Sequence, residues 1–195
     1  MLKTKVILSG VTNLSDARYA SGMGVDFIGF SINPANSRYV TVAQVKTISD
    51  WLSGVSLIGE LGSSITADVL DYKSTFIQIT NESLVHDLDE PILALNINSA
   101  NSNDVSISLQ SNAADVSFFI VNVESDELNL LQPQLHDLCN KYNVYISTNF
   151  DNQTLAHVLG EINPTGIVLY GSEEVKPGLS SYDGIADILE QLEED

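Results

Sequence analysis

Short apolar runs recur along the chain, and polar segments with helical spacing separate them. The runs are "KVILS" (5–9), "DFIGF" (26–30), "VSLIGE" (55–60), "TFIQI" (75–79), "PILAL" (91–95), "VSFFIVN" (116–122), "VYIS" (144–147) and "GIVLY" (166–170). Each is β-branched or aromatic and apolar almost throughout. A strand covered on both faces reads this way, whereas a half-exposed strand alternates. The pattern predicts eight buried parallel strands.

The intervening segments carry apolar residues every three or four positions. Helices are predicted over 15–23, 41–52, 64–72, 125–142, 151–159 and 180–195. In 41–52 the apolar face is Val42, Val45, Ile48, Trp51 and Leu52; in 125–142 it is Leu128, Leu131, Leu135, Leu138 and Tyr142. Pro133 either kinks that helix or marks its first turn. Segment 80–90 is weaker. Segment 96–115, "NINSANSNDVSISLQSNAAD", is Asn/Ser-rich and reads as a loop with a short helix or turn.

Strand–helix alternation of this kind builds right-handed parallel crossovers. The expected fold class is α/β, a compact TIM (βα)8 barrel with a parallel eight-stranded sheet. At 195 residues the chain is near the lower end for that fold, so its helices and loops must be short. No Pro/Gly/Ser linker divides it, and one domain over 1–195 is expected.

Charge narrows the function. The formal net charge is -18, and five of the eight Lys and Arg fall within the first 46 residues. Such a surface repels nucleic acid and anionic membrane, whose binding depends on phosphate neutralisation. No apolar run approaches the roughly 18 residues of a membrane span. "MLKTKVILSG" reads as a first strand and not as a signal peptide. A single cysteine, Cys139, allows no internal disulfide and no CxxC site. His86, His136 and His157 have no metal-ligand spacing. A reduced, cytoplasmic protein without metal or cofactor is expected, either monomer or homodimer.

One stretch carries a family likeness. "VILSGVTNLSDARYASGMGVDFIGFSINPANSRYV" (6–40) resembles the N-terminal signature of the phosphoribosylanthranilate isomerase family. The matching residues include Gly10, Thr12, Asn13, Asp16, Ala17, Gly24, Asp26, Gly29, Phe30, Pro34, Ser37, Arg38, Tyr39 and Val40. "FIQITNES" (76–83) and "NPTGIVLYGSEEVKPGLSSYDGIADIL" (163–189) extend the likeness more faintly.

The resemblance implies a cofactor-free Amadori rearrangement of an N-glycosylated anthranilate, a step of tryptophan biosynthesis. A general acid opens the ribose ring and a general base removes the sugar C2 proton. The ligand is then a small anionic sugar phosphate bearing an anthranilate. The family's cysteine base, at the end of strand 1, falls on Ser9. Its aspartate acid, at the end of strand 6, falls on Asn122. A thiol titrates near about 8.5 and can be tuned into range, whereas an unassisted hydroxyl cannot. Serine needs an adjacent base, and the local sequence offers no His or Lys. Asn122 cannot donate a proton reversibly. Glu124, two residues on and of the same strand parity, is the candidate substitute.

Other positions also depart from the pattern. The family cradles phosphate on glycine-rich loops after strands 6, 7 and 8. Here these loops read "VESDELN", Thr148-Asn149 and Tyr170-Gly171-Ser172. Gly171 and Ser172, with Lys176 nearby, form the remaining anion-site candidate. Arg38 falls where the family meets the anthranilate carboxylate, a bidentate device; alternatively it braces the loop. Gln78 matches a strand-4 glutamine. Asp26 reads as a helix–strand junction residue, and Cys139 as a structural thiol. Three functions remain open at this point. The first is an isomerase-type barrel with weak or lost catalysis. The second is an active isomerase using Glu124. The third is a protein-interaction module on an isomerase-derived barrel.

Overall fold

The structure is a computed structural model that describes residues 1–66, 68–171, 174–176, 179–180 and 183–193, and side chains outside 172–184. Eight parallel strands close into a barrel in the order β1 to β8. They are β1 (Lys5–Ser9), β2 (Phe27–Ser31), β3 (Ser56–Gly62), β4 (Phe76–Ile79), β5 (Pro91–Ile97), β6 (Phe118–Val123), β7 (Val144–Ser147) and β8 (Gly166–Tyr170). All eight fall on the predicted runs, and closure pairs β1 with β8, Lys5 opposite Gly166 through Ser9 opposite Tyr170.

The helices are α1 (Leu14–Gly22), α2 (Val42–Ser49), α3 (Ser102–Asn112), α4 (Leu128–Lys141), α5 (Asn152–His157) and α6 (Asp183–Leu192). Three differ from the sequence-based expectation. Segment 64–72 is no α-helix; only Val69–Tyr72 form a 3-10 turn. Segment 96–115 holds the 11-residue α3, longer than expected, which buries Val105 and Leu109. Trp51 lies beyond the end of α2 and is 66% exposed, with Arg18 6.0 Å from its ring centroid. An unpredicted two-stranded pairing, β9 (Glu174–Lys176) with β10 (Leu179–Ser180), follows β8.

Local signals explain the remaining helices. Asn13 caps α1 by accepting from the Asp16 N–H. Thr41 and Gln44 form a reciprocal capping box on α2. Pro133 sits inside α4, in its second turn, while Leu128, Leu131, Leu135 and Leu138 are buried. Cys139 packs on the same helix, and burial pushes its thiol up to about 12, which leaves it inert as a nucleophile. Asp26 accepts from the Val6 N–H at 2.9 Å and so ties the strand β2 entry to β1.

Inside the barrel, side chains stack in layers from alternate strands. Phe27, Phe76, Phe118 and Tyr145 make a floor, with ring centroids 4.7 to 6.0 Å apart. Gly166 makes room for it, because a Cβ there would lie 2.7 Å from Tyr145 Cδ1. Ile7, Ile58 and Ile92 pack with this floor. Above them the inward positions turn polar, and that change defines the site.

Candidate active site

The carboxyl ends of the strands carry Ser9, Ser31, Glu60, Gln78, Asn96, Asn122 and Ser147, each in phase with the apolar interior positions two or four residues before it. Register brings them side by side. Ser31 faces Glu60, Glu60 faces Gln78, Asn96 faces Asn122, and Asn122 faces Ser147. A cavity of about 520 Å³ opens here, lined by Gln78, Asn96, Asn122, Glu124, Ser147 and Tyr170 among others. Its described lining has a single charged side chain, Glu124.

The sequence-predicted residues fall into two groups. Gln78, Asn122 and Glu124 share the cavity, with Glu124 exposed at the end of β6. The Asn122 amide donates to the Leu95 carbonyl at 3.3 Å. Ser9, Arg38 and Gly171 form the second group, at the β1–β8 side. The Gly171 N–H donates to the Ser9 carbonyl at 2.8 Å. Arg38 reaches both loops: its Nε donates to the Gly10 carbonyl at 2.8 Å and its Nη2 to the Gly171 carbonyl at 3.1 Å. Ser172 lies outside the described residues, as does the side chain of Lys176.

The loop that presents Arg38 is built for it. Asn36 accepts from the Arg38 N–H, Val40 donates back to the Ser31 carbonyl, and the Tyr72 hydroxyl donates to the Val40 carbonyl. On the other side Gly10 turns the chain with φ +63, a left-handed conformation that suits glycine.

Sequence reasoning missed Glu60. Ser9 Oγ donates to Glu60 Oε1 at 2.6 Å, and the Gly10 N–H donates to the same oxygen at 3.0 Å. Oε2 has no hydrogen-bond partner among the described residues. Burial pushes the Glu60 carboxyl above its ordinary value; the bonds from Ser9 and Gly10 and the charge of Arg38 pull the other way. Ser9 is only 4% exposed, whereas Glu60 keeps an open part of its surface. The available signal was parity: Glu60 follows the inward-facing Ile58 by two residues.

The β7 side of the cavity is different. Thr148 Oγ1 is buried beside the cavity without a hydrogen-bond partner among the described residues. Asp151 caps α5 through the Thr154 N–H, so a carboxylate already occupies that helix start, and the same bond holds the Asp151 carboxyl below its ordinary range.

A closed parallel barrel with a polar cavity at the carboxyl ends of its strands defines a (βα)8 protein, and the cavity lies at the end of the barrel where this fold places its sites. No protein-family model matches the chain. The N-(5'-phosphoribosyl)anthranilate isomerase of Sulfurihydrogenibium sp. (strain YO3AOP1) is 25% identical over 199 residues, covering 95% of this chain and 97% of that protein. The phosphoribosylanthranilate isomerase of Thermotoga maritima superposes with a TM-score of 0.78 at 17% identity, over 97% of this chain and 98% of the other. A phosphoribosylanthranilate isomerase in complex with reduced 1-(o-carboxyphenylamino)-1-deoxyribulose 5-phosphate gives 0.76 at 19% identity, over 96% and 97% of the two chains. The chain is similar in sequence to curated phosphoribosylanthranilate isomerases and shares the fold of their solved structures, at the low identity of a divergent member.

Proposed function

We propose that this barrel binds an N-glycosylated anthranilate-type sugar phosphate above its strands and carries out the Amadori rearrangement in weakened form. One observation supports this most directly. The first βα turn is kept as a working unit, with Ser9, Gly10 and Arg38 joined at the mouth of the barrel, in a chain whose full-length relative is named for that reaction.

Weakness follows from the groups in place. Ser9 is a hydroxyl where the family has a thiol, and Asn122 is an amide where the family has a carboxylic acid. Arg38 has its Nε and Nη2 on backbone carbonyls, so it braces the mouth and contributes positive charge to it. The loops after β6 and β7 lack the glycine backbone that would cradle phosphate, so phosphate contributes little affinity. A second reading, turnover assisted by Glu124 as the acid, is favoured by its place in the cavity beside Asn122.

The test has two arms. Purified protein is titrated calorimetrically with the reduced product analogue, and N-(5-phosphoribosyl)anthranilate generated in situ is followed by anthranilate fluorescence. Binding with slow turnover is expected. No binding of the analogue overturns the proposal. A Glu124→Gln loss of turnover at unchanged binding supports the second reading. Complementation of a tryptophan auxotroph lacking the isomerase gives the in vivo result.

A further inference from the structure

We infer that Glu60 is the general base of this barrel, a catalytic carboxylate on β3 that replaces the group missing at Ser9 on β1. The inference rests on the rearrangement proposed above and names the residue that performs its second step.

Four observations converge on it. The carboxyl is aimed: Oε1 is fixed by the Ser9 hydroxyl at 2.6 Å and the Gly10 N–H at 3.0 Å, while Oε2 has no such partner among the described residues. Space has been cleared for it, since a Cβ on Gly29 would lie 2.9 Å from Glu60 Cδ and would also meet Oε1. It is reachable, because Glu60 retains open surface while Ser9 does not. It stands next to the cavity lining without belonging to it: its register partner Gln78, and Tyr170, the register partner of Ser9, both line the pocket. The environment also suits a base. Burial raises the carboxyl above its ordinary value, which strengthens it as a base, while the bonds from Ser9 and Gly10 and the charge of Arg38 oppose that rise.

The step balances without any oxidant. After ring opening the substrate is a protonated imine at C1. Glu60 Oε2 takes the C2 proton and the C2–H bond breaks. Its electron pair forms the C1=C2 double bond, and the C=N pair moves onto nitrogen. The products are an aminoenol and a neutral Glu60 carboxyl. In the tautomerisation to the aminoketose the Glu60 carboxyl gives its proton to C1, and the enol O–H proton returns to the acid that protonated the ring oxygen, which leaves Glu60 ionised and that acid restored. Ser9 serves as a positioning residue, because its hydroxyl holds the carboxylate and carries no proton of the substrate.

The experiment compares Glu60→Gln, Ser9→Ala and the pair Ser9→Cys with Glu60→Gln. Glutamine keeps an oxygen for Ser9 and Gly10 to bond but cannot accept the proton. The expected result is a kcat lowered by roughly 100-fold or more in Glu60→Gln, the scale of general base catalysis. Analogue binding stays unchanged, and the rising limb of the pH–rate profile is lost. Ser9→Ala shifts that limb but keeps turnover. Ser9→Cys in the Glu60→Gln background restores turnover by supplying a thiol. Full turnover in Glu60→Gln overturns the inference. Analogue bound to a wild-type protein with no turnover also overturns it, and leaves the ligand assignment standing. Failure of the analogue to bind removes the ligand assignment, and the base with it.

Discussion

The Glu60 carboxyl occupies the space above Gly29: a methyl group on that glycine would stand 2.9 Å from Glu60 Cδ. Two residues on neighbouring strands therefore specify one another. The bare glycine lets the carboxylate cross the top of β2 and reach Ser9 on β1. Gly29→Ala forces Glu60 out of that position or strains both strands. The expected cost is about 1–3 kcal/mol in chemical denaturation, as for other overpacked interiors. A coincident loss of turnover separates this from a merely weakened barrel elsewhere.

The raised Glu60 carboxyl makes stability depend on pH, and the direction follows from linkage. A carboxyl whose folded value lies above its unfolded one binds more protons in the folded state between the two values. Stability is then full below the unfolded value and falls as pH rises through the folded one. Melting temperature measured from mildly acidic to neutral pH should decline in the wild type and decline less in Glu60→Gln. Parallel curves for the two proteins would contradict the assignment.

Arg38 clamps the turns at Gly10 and Gly171, which lie 28 and 133 residues from it along the chain. Arg38→Ala removes two charge-assisted hydrogen bonds to backbone, each worth about 1.5–3 kcal/mol. A lower denaturation midpoint in the absence of any ligand is expected. Were the midpoint unchanged and only analogue affinity reduced, Arg38 would be a recognition residue alone.

Restoring the family's pair tests how much of the site survives. Ser9→Cys with Asn122→Asp should raise turnover above wild type. The gain is limited by Glu60, whose negative charge beside a new thiol disfavours the thiolate. Adding Glu60→Gln to the pair should raise the rate further. Steady-state kinetics on the three variants decide it.

The barrel was legible because its strands are covered on both faces. Runs such as Val6–Leu8 and Phe118–Val121 are apolar without interruption, and no other element reads that way at that length. Two segments misled for physical reasons. In 64–72 the acids Asp68 and Asp71 interrupt any apolar stripe, and the chain makes only a tight turn. In α3 the burial of Ser108 and Asn112 supplies part of the inner face, so polar residues hide the helical period. At the site, Ser9 and Asn122 were visible from the frame around them. Glu60 was not, because a carboxylate closing an apolar run looks like a strand end meeting water. Its partner Ser9 is 51 residues away, and only barrel closure shows that they touch.

The aromatic floor of Phe27, Phe76, Phe118 and Tyr145 gives the barrel a single door. Four rings seal the end where the strands begin, so water and solutes enter and leave past the loops at the other end only. Residence time of anything held above the rings is set by those loops, the ones Arg38 ties together. Loosening that tie would change how long a guest stays before it changes how tightly it is held.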